Sequence, residues 1–263
     1  TGGQAVAATG ACSTVAALAF GLPVLRLVTW AASAAAEENP FTDTRFADHL
    51  TSSVLVAAIA AATCVVVSVV LAHALRLGGG PWVRAAAQAT TFGYAVPGAV
   101  VGIGVLALFS AADRLLQALG REDGTGILVT GSVLGILLAY VVRFTAPAYQ
   151  AVDASFARIP PTVSASALTL GAGPGRLLGR VHLPLARSGV AVALTLVIVD
   201  AVKELPLVLL LRPFGFTTLS VWVYELASEN FWERAALPAL LIVLVAVVPV
   251  ALTFRNPATR HAR

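Results

Sequence analysis

Six long apolar runs, separated by polar segments, set the pattern of the chain. The runs lie near residues 5–30, 52–75, 91–111, 126–142, 188–211 and 235–254. Each is close to the ~20 residues that a helix needs to cross a hydrocarbon core of about 30 Å. The pattern therefore predicts an all-α, polytopic membrane protein that forms a single six-span domain over residues 1–263.

The longest polar segment between these runs covers residues 143–187 and contains its own turn signals. Pro160 and Pro161 end the helix that precedes them. Thr162 can cap a short helix that runs to Leu170, and Gly171 suits the left-handed position that follows a helix. Pro174 can open a second short helix, because a proline at the first helical position loses no hydrogen bond. The segment therefore predicts two short helices, joined by glycines, between the fourth and fifth spans.

The charged residues are spread unevenly over the segments between the runs. One alternating set of segments consists of 76–90, 143–187 and the tail from 255, and the other of 31–51, 112–125 and 212–234. The first set holds ten arginines and one acidic residue, whereas the second holds five arginines and ten acidic residues. Since Lys and Arg near span ends resist translocation, the first set and both termini are predicted to be cytoplasmic.

Composition supports a membrane protein and excludes other classes. Hydrophobic residues make up 58% of the chain, charged residues make up 11%, and the mean hydropathy is +0.88. A soluble domain has about 25% charged residues. The net charge of +4 does not indicate nucleic-acid binding, because the basic residues lie between apolar runs rather than along one face. Cys12 and Cys64 fall within apolar runs and predict neither a disulfide nor a metal site.

The sequence offers no motif for catalysis or nucleotide binding. The glycines at Gly171, Gly173 and Gly175 invite comparison with a phosphate-binding loop, but no Lys-Ser/Thr pair follows them and no strand precedes them. The four histidines have no triad spacing. The chain is therefore predicted not to be an enzyme and to contain no catalytic, cofactor-binding or metal-binding residue.

Charged residues interrupt the fifth apolar run at Asp200, Lys203 and Glu204. An ionised group near the middle of a bilayer costs roughly 2.5–3.5 kcal/mol on insertion scales, so such residues need a partner or water. Asp200 and Glu204 are four residues apart and would share a helix face. Pro206 follows and can break the helix. Two interpretations stay open: a structural salt bridge that uses Lys203 or Arg143, or carboxylates that line a pathway and meet a cation transiently.

Two stretches of the sequence resemble binding-protein-dependent ABC importer permeases, the membrane components of these transporters. Gly171, nine further residues and then Val181-x-Leu183-Pro184 are similar to the cytoplasmic signature of that family. The run over residues 200–228 resembles ferric-iron permeases more closely than permeases for molybdate, maltose or amino acids.

The similarity extends over about residues 94–249 and has one departure. The family has a Glu-Ala-Ala triplet six residues before the glycine, and Ala165 stands here in place of its Glu. The resemblance implies that the segment between spans four and five binds an ATPase through Ala165, Ala167, Gly171, Arg176, Arg180, Leu183 and Pro184. It also implies a substrate pathway with the candidate lining residues Asp200, Lys203, Glu204 and Pro206.

The resemblance further implies a fold, a location and a set of partners. The fold would be the MetI-like, type I importer fold in the inner or plasma membrane. The partners would be an ABC ATPase dimer on the cytoplasmic side, a substrate-binding protein on the outer side, a second homologous permease half and membrane lipid. ATP would bind to the ATPase, so this chain would carry no cofactor. Because the chain begins at Thr1 and contains no Met, we expect it to be the C-terminal half of a fused two-half permease.

The cargo that the resemblance favours is ferric iron, handed over by the binding protein. Related permeases for thiamine, polyamines or phosphonate stay open as alternatives. An alternative from another class is an ATPase-independent channel or secondary transporter. In that case Asp200, Lys203 and Glu204 would form its ion or proton relay.

Overall fold

The computed structural model describes residues 2–37, 43–120 and 132–255, and the regular elements in those residues are helical. The α-helices are α1 Gly2–Ala16, α2 Leu22–Glu37, α3 Thr44–Arg76, α4 Pro81–Ala95, α5 Gly98–Ala118, α6 Val133–Ala157, α7 Pro161–Thr169, α8 Pro174–Leu177, α9 Leu183–Val202, α10 Pro206–Leu211, α11 Leu219–Ser228 and α12 Trp232–Arg255. π-helical turns join α1 to α2 at Ala17–Gly21 and α8 to α9 at Leu178–His182.

Six helical stretches in the described residues are long and apolar enough to cross a membrane, which confirms the predicted number of spans. They are Gly2–Ala36, Thr44–Arg76, Gly98–Ala118, Val133–Ala157, Pro174–Val202 and Trp232–Thr253. The predicted start of the fourth span, residues 126–131, lies outside the described part of the chain. The chain is a multi-pass membrane protein, and the regular structure of its described residues is helical.

The third span begins later than its apolar run predicts. Val96 is extended, with a ψ of 132°, and α5 begins at Gly98 directly after Pro97. A residue before proline avoids the helical region, and proline itself cannot donate a hydrogen bond, so the run is split at this point. Residues 91–95 belong instead to α4, whose first residues lie in the polar segment 76–90, where the sequence pattern did not indicate a helix.

The fifth span also differs from its prediction. The helix that Pro174 opens does not end before the span, because α8, the π turn and α9 form one stretch of 29 residues, Pro174–Val202. In the π turn, the Leu183 N–H bonds to the carbonyl of Leu178, five residues earlier. This change of register lies directly before Pro184, and it lets the continuous helix accommodate a residue without an N–H group.

The predicted loop over 143–187 is therefore mostly helical. α6 continues beyond the fourth apolar run to Ala157, and short turns separate it from α7 and α8. α7 begins at Pro161, two residues earlier than a Thr162 N-cap would give. Thr162 consequently lies inside the first turn and is not the N-cap, so that prediction was wrong; the N-cap is Pro160, with no side-chain cap bond.

Gly171 ends α7 as its sequence position predicts. Its φ is +81°, a conformation that favours glycine. The Gly171 N–H bonds to the Leu168 carbonyl, and the Ala172 N–H bonds to the Ala167 carbonyl. These two bonds form a Schellman motif, which satisfies carbonyls that would otherwise be left free at the end of the helix.

The core lies where α3, α6 and α9 pack together. Its fully buried residues include the mostly small side chains of Ala60, Ala61, Cys64, Ile136, Ala139, Ala193 and Val197. Gly189 on α9 lies so close to Ser155 on α6 that a Cβ at Gly189 would overlap it. Small residues allow this close approach between helices. The packing brings the polar residues of α6 and α9 to one level of the bundle.

The remaining helices lie around this core. α2 packs on α12, while α1 contains no buried residue. α11 packs on α12 and α3, and its Trp222 ring lies 5.9 Å from the Phe46 ring on α3, centroid to centroid. Arg212 and Glu225 form an ion pair of 2.7 Å between the start of the α10–α11 connection and α11. These contacts fix the connection that follows the charged residues of the fifth span.

Candidate functional site

Two helix breaks lie side by side in the bundle. The first is the Val96–Pro97 break between α4 and α5, and the second is the break over residues 203–205 between α9 and α10. α5 packs on α10, so the two breaks are neighbours. Pro206 stands at the first position of α10, and the prediction that the helix breaks there is confirmed. Breaks at this depth leave backbone carbonyls that need other partners.

Side chains from neighbouring elements supply those partners. Arg143 of α6 donates from Nη1 to the Val96 carbonyl. The Tyr140 hydroxyl, also on α6, donates to the Ala201 carbonyl at 3.1 Å. The Ser220 hydroxyl of α11 donates to the Glu204 carbonyl at 2.9 Å. Main-chain carbonyls at both breaks thus accept side-chain hydrogen bonds from neighbouring helices.

Arg143 also forms an ion pair inside this region. Its Nε lies 3.4 Å from Glu204 Oε2, and the two side chains are 19% and 10% exposed. Glu204 lies against Gly98, where an added Cβ would overlap Glu204 Oε1. The carboxylate therefore occupies the space at the start of α5 that a glycine leaves open.

A second ion pair lies beside the first. Asp200 Oδ1 is 2.9 Å from Lys203 Nζ, and Asp200 Oδ2 accepts a hydrogen bond from the Tyr94 hydroxyl at 3.2 Å. The Asp200 side chain is 14% exposed, whereas the Lys203 side chain is 61% exposed. We refer to Tyr94, Arg143, Asp200, Lys203 and Glu204 together as the break cluster.

The break cluster decides part of what the sequence left open. Each of the two carboxylates has a cation, so the salt-bridge interpretation is confirmed; a role in lining a pathway stays a prediction. The carboxylates do not share a helix face, because α9 ends at Val202 and Glu204 follows the break. Tyr94 and Tyr140 were missed, and the one signal for Tyr94 was its place shortly before Pro97.

Residues 2–37, 43–120 and 132–255 contain no group of three or more His, Cys, Asp or Glu side chains that could hold a metal ion. The carboxylates of the break cluster are held by cations and a hydroxyl instead. The chemistry available at the breaks is therefore ion pairing and hydrogen bonding.

A separate polar site joins α7 to the end of α3. Arg76 donates from Nη1 to the Phe156 carbonyl at 2.9 Å, from Nη2 to the Ile159 carbonyl, and from Nε to the Ser164 hydroxyl at 3.2 Å. Phe156 and Ile159 lie at the end of α6, and Ser164 lies on α7. One guanidinium thus ties three helices together.

Two buried histidines complete this site. His73 Nδ1 lies 2.9 Å from His182 Nδ1, and His182 Nε2 lies 3.0 Å from the Ser164 hydroxyl. His182 is fully buried in the π turn between α8 and α9. We call His73, Arg76, Ser164 and His182 the α7 anchor. Apart from an arginine at the end of a span, no sequence signal pointed to this site.

A family comparison fits this architecture. The model of the family described as "Binding-protein-dependent transport system inner membrane component" matches residues 65–258. The chain belongs to this family. The match includes α7, α8, both helix breaks and the charged residues between α9 and α10. It confirms the ABC importer permease resemblance and the MetI-like fold class.

Two curated permeases show how far the similarity within the family extends. The Fe(3+)-transport system permease protein FbpB 2 of Haemophilus influenzae is 26% identical over 248 residues, which cover 92% of this chain and 46% of that protein. A Salmonella typhimurium permease named for 2-aminoethylphosphonate transport, PhnV, is 31% identical over 153 residues, 58% of this chain and 52% of that protein. The chain spans about half the length of the curated relatives it matches.

Solved permeases share the fold at low sequence identity. A bacterial alginate ABC transporter, in complex with its alginate pentasaccharide-bound periplasmic protein, contains a chain that matches with a TM-score of 0.76 at 15% identity, covering 95% of this chain and 92% of that one. A second crystal structure, of a bacterial ABC transporter involved in alginate import, matches with a TM-score of 0.75 at 14% identity, covering 99% and 96%. These matches support the helical architecture of the permease.

The candidate ATPase-coupling residues of this permease lie on one stretch of α7, α8 and the start of α9. Those with exposed positions are Ala165, Gly171, Arg176, Arg180 and Pro184, while Ala167 and Leu183 are half-buried. The last turn of α7 also exposes Leu170, at 87%. Their role in coupling stays a prediction. The α7 anchor bonds this surface to α3 and to α6.

Proposed function

We propose that this chain is one permease half of an ATP-driven importer, with an ATPase dimer on the exposed surface of α7 and α8. The observation that carries the proposal is the α7 anchor. Arg76 and His182 join α7 to α3, to the end of α6 and to the helix of α8 and α9. A partner that moves α7 would therefore move the spans as well.

The continuous α8–α9 helix gives the movement a route to the break cluster. Its 29 residues would extend about 43 Å at ~1.5 Å per residue. One end begins at the exposed surface near Arg176, and the other ends at Val202, beside the two helix breaks. In our proposal, ATPase closure shifts this helix, and the break cluster changes its arrangement as the path opens alternately to the outside and the inside.

The remaining partners follow from the family and from the predicted orientation. A binding protein would deliver cargo at the outer side, and a second homologous half would complete the pathway. Ten arginines in the proposed cytoplasmic segments against five in the outer ones support cytoplasmic termini. ATP would bind to the ATPase and not to this chain.

Ferric iron is the cargo that we favour. The support is the similarity to a ferric permease over 92% of the chain, together with the charged run at Lys203–Pro206 that resembles such permeases. 2-Aminoethylphosphonate is a second candidate, because a permease named for it has the higher identity, 31%, over a shorter stretch.

The test is uptake by the full-length transporter in proteoliposomes, with its ATPase and binding protein. We expect uptake of ⁵⁵Fe or labelled 2-aminoethylphosphonate only with ATP. Gly171→Val should abolish uptake, since valine disfavours a φ of +81°. Gly173→Ala is the matched control, because Gly173 has an ordinary φ of −68° and open space around it.

Two outcomes would overturn the proposal. Uptake without any ATPase would instead support a channel or secondary transporter. Normal ATP-driven uptake by Gly171→Val would show that the surface of α7 and α8 does not couple the ATPase to the spans.

A further inference from the structure

We infer that Lys203 contacts the cargo during transport and that the cargo group it meets is an oxyanion. This inference rests on the proposed function and adds the chemical class of the cargo. An oxyanion can be a phosphonate, or the carboxylate or phosphate groups of a ligand that accompanies ferric iron.

In the break cluster the ammonium group of Lys203 is exposed, whereas the two carboxylates are mostly buried. Lys203 is 61% exposed, whereas the side chains of Asp200, Glu204 and Arg143 are 14%, 10% and 19% exposed. Lys203 is also the only lysine among the 263 residues. A solute at the breaks would therefore meet an ammonium group before it met a carboxylate.

The carboxylates are also already engaged. Asp200 uses one oxygen for Lys203 and the other for the Tyr94 hydroxyl. Glu204 pairs with Arg143 and lies behind Gly98. An ammonium carries three N–H donors, and within the described residues Lys203 shows only the contact to Asp200. The Lys203 donors are thus available to a solute at this point, whereas both Asp200 oxygens are engaged and Glu204 Oε1, which has no hydrogen-bond partner, is buried.

The position of Lys203 in the second helix break indicates that it faces water rather than lipid. It follows directly after Val202, the last residue of the fifth span, and adjoins both helix breaks. An ionised side chain within a bundle faces the interior or a water-filled cavity, because contact with hydrocarbon is costly. Tyr94, at 48% exposure, places a hydroxyl beside it. The exposed ammonium therefore marks a polar surface at the breaks.

Bare ferric iron does not fit this surface. The described residues hold no group of three or more His, Cys, Asp or Glu side chains that could hold a metal ion, and the Tyr94 hydroxyl, a further possible ligand of ferric iron, is hydrogen-bonded to Asp200. An iron complex with anionic ligands would bring the oxyanions that Lys203 can bind. Phosphonate and chelated iron would thus share one recognition chemistry.

The experiment measures uptake by the full-length transporter with its ATPase, in proteoliposomes. The oxyanion probes are labelled 2-aminoethylphosphonate and ⁵⁵Fe supplied as ferric citrate, and the cationic probe is labelled spermidine. Which oxyanion enters distinguishes the two sources. We compare the wild type with Lys203→Gln, Lys203→Arg and the exchange Asp200→Lys/Lys203→Asp. Arg114→Gln removes an exposed arginine from α5 and is the matched control.

We expect Lys203→Gln to lower oxyanion uptake at least tenfold, Lys203→Arg to retain at least half, and Arg114→Gln to match the wild type. The exchange variant keeps an ion pair but turns a carboxylate outward. It should transport oxyanions no better than Lys203→Gln. A purely structural role for Lys203 would instead be rescued by the exchange.

Failure of the inference and failure of the proposed function give different results. Full oxyanion uptake by both Lys203→Gln and the exchange variant overturns the inference and leaves the function standing. Uptake of spermidine but of neither oxyanion by the wild type also overturns it. Uptake that needs no ATP overturns the proposed function. If Lys203→Gln does not assemble with the ATPase, Lys203→Arg and the exchange variant decide between the outcomes.

Discussion

The break cluster and the α7 anchor are both polar sites inside an apolar bundle, yet they are built from different contacts. In the break cluster, cations meet carboxylates, and Arg143 also donates to the Val96 main-chain carbonyl. In the α7 anchor, Arg76 meets uncharged acceptors, two of which are main-chain carbonyls in the last turn of α6 and in the turn that follows it. The Asp200–Lys203 pair can exchange partners when helices shift, whereas a guanidinium held on two main-chain carbonyls fixes the helices themselves. We infer that the anchor transmits movement and that the breaks absorb it.

The largest effect should come from breaking the buried ion pair. Arg143→Met leaves the Glu204 carboxylate buried without its cation and removes the donor to the Val96 carbonyl. We expect a loss of about 3–5 kcal/mol in the free energy of unfolding, measured by chemical denaturation of the protein in detergent. Adding Glu204→Gln should recover part of the loss, since no buried charge remains.

The matched control for Arg143→Met is Arg158→Met, which removes an exposed arginine at the end of the same helix. It should change stability by less than about 0.5 kcal/mol. Equal losses in both variants would contradict the view that the pair is a buried structural feature.

Removal of the guanidinium from the α7 anchor should have the next largest effect. Arg76→Met leaves two carbonyls at the end of α6 and the Ser164 hydroxyl without their donor. We expect a loss of about 1.5–3 kcal/mol, the range for hydrogen bonds to a charged group. Because α7 would no longer move with α3 and α6, cargo transported per ATP hydrolysed should fall at least fivefold.

Arg84→Met is the control for this prediction, because Arg84 is an exposed arginine on the neighbouring α4. Its ratio of transport to hydrolysis should match that of the wild type. If Arg76→Met lowers stability but leaves that ratio unchanged, the anchor is a structural contact and does not transmit movement.

A smaller effect is expected at the glycine that faces Glu204. A Cβ in Gly98→Ala would overlap Glu204 Oε1 and push the carboxylate away from its position beside Arg143. Overpacking of this kind costs about 1–3 kcal/mol. Gly104→Ala on the same helix meets no atom within 4 Å, and it should be neutral or stabilise α5 by up to about 1 kcal/mol. Denaturation midpoints of the two variants test the contact, and equal midpoints would contradict it.

Local sequence rules predicted much of this fold. The lengths of the apolar runs indicated six spans, and Pro206 indicated the helix break before α10, because a proline inside a helix removes a hydrogen bond and disrupts that helix. Gly171 was predictable for a similar reason, since a left-handed helix end favours glycine. The π turn before Pro184 was not predictable, because it depends on the helix continuing through a segment that has turn residues.

The side-chain partners could not be derived from the sequence in the same way. The apolar sequence around Asp200 and Glu204 indicated that their carboxylates need cations. The pairing of Glu204 with Arg143 depends on where α9 ends, which the sequence does not indicate. Arg76 resembles any arginine at the end of a span. Its contacts join residues 80 and 88 positions apart, a separation that only the packing of α3, α6 and α7 brings together.

The smallest expected effect on stability distinguishes the two ion pairs within the break cluster. Asp200→Asn keeps the hydrogen bond with Tyr94 possible and removes only the charge that faces Lys203. Because Lys203 is 61% exposed, solvent screens this pair, and the loss should stay at about 0–1 kcal/mol. Glu204→Gln, next to a buried arginine, should cost more in the same denaturation measurement. If Asp200→Asn costs as much as Arg143→Met, the outer pair is as structural as the inner one. Lys203 would then be held too firmly to meet a solute.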